Sequence, residues 1–218
     1  MQHDAAQDMS YSQVGPEQLY PAISVFVLEV MSHNQSKGED QVPSLLLIHL
    51  DSGGGGMPQE LYSNQIAWFN RTIVEKRQRF GKLIPALVFV HIPLWEFSDA
   101  LKGDDHCFGD SDDGINPTNS NTGLFAAIDA APEVEAVFVG HDHCNDWCCQ
   151  FGKRSIDLCF GRHSGWGGYD CEDPPGSKIN FSKGSRIITF QQQGAQRHSI
   201  TTHVRLFNGS VTHSGSLT

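Results

Sequence analysis

The sequence predicts an α/β fold built on a largely parallel sheet. Three observations point there. Apolar runs of strand length alternate with segments of helical periodicity, two of those runs end directly on histidines, and in the last third helix signals give way to strand-like runs. In parallel sheets binding sites form beyond the carboxyl ends of the strands, so histidines placed there are candidates for chemistry.

The elements follow in chain order. Ile23 to Val30 has strand character, with the polar segment His33 to Gln41 as a loop after it. Ser44 to Leu50 reads as a buried strand that stops at Asp51-Ser52 and the four glycines Gly53 to Gly56. From Gln59 to about Arg79, Tyr62, Ile66, Phe69 and Ile73 fall at helical spacing with polar residues opposite, and Pro58 and Gly81 fit the start and stop. Ala86 to Val90 is a second buried strand and runs straight into His91-Ile92-Pro93. Ser98 to Ser120, rich in Asp, Gly, Asn and Ser, reads as a surface insertion, and Thr122 to Ala130 as a short helix ended near Pro132. Ala136 to Val139 is a third buried strand, ending at Gly140-His141-Asp142-His143. Leu158 to Gly161, Arg186 to Gln191 and Ile200 to Phe207 then read as antiparallel strands of a second sheet.

Bulk properties narrow the function. A chain of 218 residues with 39% hydrophobic and 18% charged residues is one globular domain. It divides into a leading strand and loop over 1–43, a motif-bearing α/β part over 44–169 and closing strands over 170–218. A formal charge of −10 without a Lys/Arg stripe argues against a nucleic-acid partner and suits a bound cation. No apolar run approaches the ~20 residues that cross a bilayer, and the start Met1 to Asp8 lacks a secretory signal, so no membrane partner is expected. Residence in the cytoplasm and in a secreted or vacuolar compartment both stay open. Asn34, Asn70, Asn180 and Asn208 each head an Asn-x-Ser/Thr glycosylation pattern. The six cysteines, five of them between Cys144 and Cys171, fit disulfides, reduced core thiols or a metal cluster.

The histidines carry the chemical argument. His141 and His143 are two apart, so an extended segment would turn both rings to one side, and Gly140 allows the tight turn that aims them at a pocket. A lone histidine at a strand end is ordinarily a hydrogen-bonded surface residue, but here His91 ends one strand and the pair ends the next. Asn145 and Asp146 are candidates for orienting the imidazoles, while Asp142, pointing away, reads as a plain turn residue. Arg162 and His163 open a glycine-rich loop running to Tyr169 and are candidates for contacting a phosphate, against the plainer reading of a turn. Gly53 to Gly56 lacks the lysine and spacing of a nucleotide-phosphate loop. A structural zinc site made by the cysteines with His163 is a competing reading, in which the chain is a binding module.

These motifs resemble the calcineurin-like metallophosphoesterases, whose late motifs are a single His after a strand and then Gly-His-x-His. Leu50-Asp51-Ser52-Gly53, Gln65 to Phe69, Phe89 to Leu94, Asn121 to Phe125, Tyr11 to Pro16 and Val137 to Asp146 resemble the purple-acid-phosphatase-like branch. The resemblance implies a sandwich of two β-sheets flanked by helices, here N-terminally incomplete. It implies that His91 and His141 bind one metal and His143 the other, within a pair of divalent or mixed-valence ions of Fe, Zn or Mn. Substrates would be phosphate esters, phosphoproteins among them. The family's earlier motifs, Asp-x-His, Gly-Asp-x-x-Asp and Gly-Asn-His-Asp/Glu, do not occur in these residues, and His3, Asp4 and Asp8 are poor substitutes because no strand precedes them. The expectation is a phosphatase in complete form and a chain that alone is inactive or nearly so, a non-catalytic remnant being the alternative.

Overall fold

Alternation along the strands sets the layering. In the computed structural model, which describes residues 10–32, 42–103, 106–169, 171, 182–193 and 197–217, Leu46, Ile48, Val88, Val137 and Val139 face a core shared with helices. Leu45, Leu87, Ala136 and Phe138 face a second sheet. With both faces covered, the central strands read as unbroken apolar runs, which is why they were visible in sequence. His3, Asp4, Asp8, the loop 33–41 and the patterns at Asn34 and Asn180 lie outside the described residues.

The first sheet contains β1 (Phe26–Val30), β2 (Leu45–His49), β3 (Ala86–Phe89), β4 (Val134–Val139), β5 (Cys148–Phe151) and β6 (Ile156–Phe160). Their order is β1-β2-β3-β4-β6-β5, with β2, β3, β4 and β6 mutually parallel and β1 and β5 antiparallel at the two edges. The second sheet is the antiparallel set β7 (Gly184–Gln193), β8 (Arg197–Leu206) and β9 (Val211–Leu217). The strand expected at Leu158 to Gly161 is thus β6 of the first sheet, parallel to β4, and not part of the second. A tight β5–β6 hairpin returns the chain alongside β4, a connection that no apolar run announces.

Helix α1 (Ser63–Phe80) buries Phe69, Thr72 and Ile73, and Gly81 closes it at φ 65°, a left-handed cap that glycine adopts without strain. It begins later than Pro58 suggested. Glu60 N–H is committed to Ser52 O, 2.9 Å, Leu61 is buried, and Tyr62 is extended before the helix starts. The region from Ser98 to Ser120 is not a loose insertion. Helix α2 (Glu96–Gly103) buries Phe97 and Ala100, and the Cys107–Cys149 disulfide ties the following loop to β5. Helix α3 (Leu124–Ala130) falls where expected.

One row of side chains crosses the face of the first sheet that meets the second. Phe26, His49, Phe89, Phe138, Cys159 and Cys148 are successive cross-strand partners on six strands. The first four rings stack at 4.5, 5.0 and 5.4 Å, and the row ends in the Cys148–Cys159 disulfide. Cross-strand aromatic pairs of this kind each contribute roughly 0.2–1 kcal/mol and pin register. All six cysteines are paired, the third bridge being Cys144–Cys171, so the zinc-module reading is corrected: no thiolate is left to ligate a metal.

Burial holds the His49 imidazole below its ordinary range, so the folded state favours the neutral ring. Its contribution to stability is therefore complete above the unfolded value of about 6.5 and is lost as pH falls through the lower folded value. His49→Phe keeps the stack and removes the titration. We expect it to shrink the loss of unfolding free energy between about pH 6.5 and 5, measured by urea denaturation at several pH values. An unchanged slope would count against this assignment.

Candidate functional site

Backbone hydrogen bonds fasten the ends of three parallel strands side by side. Val90 N–H donates to Phe138 O at 3.0 Å, Gly140 N–H to His91 O at 2.9 Å, and Gly161 N–H to Val139 O at 2.7 Å. These bonds set His91, Gly140 and Gly161 along one rim. A Cβ at Gly140 would lie 3.3 Å from His91 Nδ1, so glycine is what lets the imidazole lie across the neighbouring strand end.

The structure brings the His91 and His141 rings into contact and stacks His143 against His163 and Tyr169, still near enough to act on the charge of His91. The His91 and His141 rings meet edge to face at 5.4 Å. His141 has φ 72°, a left-handed conformation uncommon for a residue with a side chain, so the backbone turns there and is not the extended run that the spacing suggested. His143 lies between the His163 and Tyr169 rings, each 4.1 Å away. Its N–H donates to Tyr169 Oη at 2.7 Å, and its Nδ1 is 2.8 Å from Tyr169 O. Gly168 at φ 82° makes this possible, since a Cβ there would come within 2.5 Å of the His143 ring.

Electrostatics favour a neutral His91 at the rim. Burial lowers the His91 pKa, and His141 and His143 push it the same way while Asp142 opposes them. Neutral imidazole is the ligating form. His91, with the His141 ring beside it, is in the form that could share in one divalent ion. A tetrahedral ion needs four donors and a pair of ions more, and the nearby Asp142 carboxylate accepts instead from Asn116 N–H, 3.1 Å, and Asn116 Nδ2, 2.9 Å. Among the described residues, no complete two-ion ligand set is gathered around His91 and His141. Asp142 is also more than a turn residue: it is 2% exposed, and burial raises its pKa against those two hydrogen bonds.

Asn145 and Asp146, both fully buried, tie the motif to the loop before α3. Asn145 Oδ1 accepts from Asp113 N–H at 3.2 Å, and Asp146 Oδ1 from Asp110 N–H at 2.7 Å. Asp146 Oδ2 meets Arg162 Nη1 at 2.6 Å and His213 Nδ1 at 3.0 Å, while Arg186 donates to the Asp146 carbonyl. Burial alone would raise the Asp146 pKa, but the Asp110 N–H, Arg162 and His213 together hold it below the usual carboxylate range. Asp110, Asp146 and His213 have ligand atoms within 4.8 Å of one another. Arg162, whose side chain is 4% exposed, already provides the cation there.

Beside the rim opens a cavity of about 610 Å³ between the two sheets. Its polar walls are His49, His91, Arg162, Arg186 and the serines Ser12, Ser24, Ser164 and Ser185, and no carboxylate lines it among the described residues. Its size is that of a small-molecule pocket. His163 sits next to it, its Nε2 3.2 Å from Gly167 O. Sequence reasoning missed His49, Tyr169 and Arg186. Arg186 had left a signal: it alternates with Ile188 and Phe190 on the inward face of β7, where a lone arginine is out of place unless paired.

No family model and no solved structure match the chain. It is similar to three Arabidopsis thaliana proteins. One, named "Probable inactive purple acid phosphatase 29", is 30% identical over 203 residues, which cover 86% of this chain and 50% of that protein. For "Probable inactive purple acid phosphatase 14" the figures are 32% over 135 residues, 61% and 31%, and for "Probable inactive purple acid phosphatase 28" they are 28% over 126 residues, 57% and 29%. The chain spans about half the length of the first of these relatives and less of the other two.

Asp146→Ala would take the nearest carboxylate from the buried Arg162 guanidinium, a kind of change that costs about 3–5 kcal/mol where one partner of a buried pair is removed. Replacing both partners, as Asp146→Leu with Arg162→Met, should cost clearly less than the sum of the two single changes. Urea unfolding of the three variants checks this. An Asp146→Ala cost below about 1 kcal/mol would show the pair to be no stronger than an exposed one.

Proposed function

From its kinship with the purple-acid-phosphatase-like branch of the calcineurin-like metallophosphoesterases, we propose that this chain carries the phosphate-ester-binding part of a metallophosphoesterase site and, by itself, binds a phosphoryl group without turning it over. The observation that carries the reading is the charge of the cavity. In a chain of net charge −10, its polar walls are two arginines, two histidines and four serines. A phosphate ester needs cationic and hydroxyl donors and is repelled by carboxylates.

Each group has a part in that reading. Arg162 and Arg186 are anchored at the back of the cavity by Asp146 and by the Ser182 and Phe160 carbonyls, so they act through their positive field more than as a free fork. Burial lowers the Arg186 pKa to about 10, which still leaves it charged at neutral pH. Serine hydroxyls offer donors to phosphoryl oxygens. His91 and His141 are the residues that would hold a divalent ion of Fe, Zn or Mn. Such an ion, when bound, polarises a phosphoryl oxygen and acidifies water. The strained backbone at His141 supports a role beyond packing, because a conformation of this kind costs of order 1–3 kcal/mol and tends to be kept at functional sites. Absence of turnover agrees with the word "inactive" in the names of all three relatives. In the complete protein, phosphate esters, phosphoproteins among them, would be the ligands or substrates.

Calorimetric titration of the purified chain with phenyl phosphate and orthophosphate, with and without zinc or manganese, tests binding. An aryl phosphate assay under the same conditions tests turnover. We expect saturable binding that weakens in Arg186→Met and no hydrolysis above that of a His91→Ala/His141→Ala variant. Metal-dependent hydrolysis that disappears in that variant would overturn the non-catalytic half, and failure to bind either phosphate would overturn the other.

A further inference from the structure

We infer that Asn208, at the tip of the β8–β9 hairpin, is an N-glycosylation site. Two of the four Asn-x-Ser/Thr patterns fall on described residues, and their local geometry differs. Asn70 lies inside helix α1, where residues two apart diverge by about 200°, and Thr72 is turned into the core at 8% exposure. Asn208 and Ser210 are instead held together. Asn208 Oδ1 accepts from Ser210 N–H at 2.9 Å and from Ser210 Oγ at 2.7 Å, an Asx turn that involves only neighbouring residues. Gly209, at φ 88°, supplies the turn that closes it. Both bonds end on Oδ1, so neither engages Nδ2, the atom that is modified.

Two further observations fit a sugar at this point. All six cysteines form disulfides, which places maturation in an oxidising compartment, where oligosaccharide transfer also occurs. Beside Asn208, Phe207 is 77% exposed and meets Trp166, 74% exposed, edge to face at 5.5 Å. Aromatic pairs this exposed are unusual unless something covers them, and the apolar face of a first N-acetylhexosamine on Asn208 has the reach and chemistry to do so. The donor is a lipid-pyrophosphate-linked oligosaccharide. Asn208 Nδ2 forms a bond to its anomeric carbon, the bond from that carbon to the pyrophosphate oxygen breaks, and lipid pyrophosphate leaves with the electron pair. The Nδ2 proton passes to base.

The test is cell-free translation of the full chain behind a cleavable leader with microsomes, in a version carrying Asn34→Gln, Asn70→Gln and Asn180→Gln. The expected result is one glycan-sized step in mobility, removed by amidase digestion and absent in Ser210→Ala. In the otherwise unchanged chain, Asn208→Gln should remove one step from the ladder. Amidase digestion in heavy-oxygen water should label residue 208 while a parallel incubation without amidase should not, which separates glycan release from spontaneous Asn-Gly deamidation. A three-substitution chain that enters the microsomes and shows no step, or an unlabelled residue 208, overturns the assignment. Neither outcome depends on phosphate binding.

Discussion

A buried carboxylate organises this molecule. Asp146 is 0% exposed and unites five parts of the chain: its own motif loop, the Asp110 backbone, Arg162 after β6, His213 of β9 and, through its carbonyl, Arg186 of β7. A buried charge is tolerated only when paired and hydrogen-bonded, so each of those partners must be in place once the chain folds. The second sheet is thereby fixed against the first by polar groups near the rim and by apolar packing farther down. The cavity is what remains between them, and both its arginines hold Asp146, Arg162 at the carboxylate and Arg186 at the carbonyl.

That arrangement explains how an acidic protein presents a cationic interior. Three carboxylates near the site are held by hydrogen bonds: Asp142 by Asn116, Asp146 by Asp110 N–H, and Asp51 by Ile23, Ser24 and Gly53 N–H. Net charge describes the surface as a whole, whereas a ligand responds to the few groups that line its pocket. The groups that line the cavity and the His91–His141 pair at the rim overlap only at His91.

Much of the architecture was legible in the sequence. β2, β3 and β4 are buried on both faces and show as apolar runs, and α1 has a clear periodic face. β5 and β9 were not legible. Cys148-Cys149-Gln150-Phe151 and Val211 to Leu217 carry no aliphatic run and take extended form because partners pair with them. α2 was hidden by the polar composition around it, although Phe97 and Ala100 mark its inner face. At the site, histidines at strand ends could be read, because a strand's end is a local property. The company of His143 could not, since Tyr169 arrives from 26 residues away over a turn that depends on Gly168.

Cys148 and Cys149 are adjacent and point to opposite faces of β5, so the outermost strand of the first sheet is stapled on both sides. One bridge joins it to β6 across 11 residues and the other to the 107 loop across 42. By loop entropy alone these are worth about 3 and about 4 kcal/mol. A reducing environment would release both staples on a single short strand. Peeling it off would bare the amide border of β6, an unguarded edge on which other chains could polymerise.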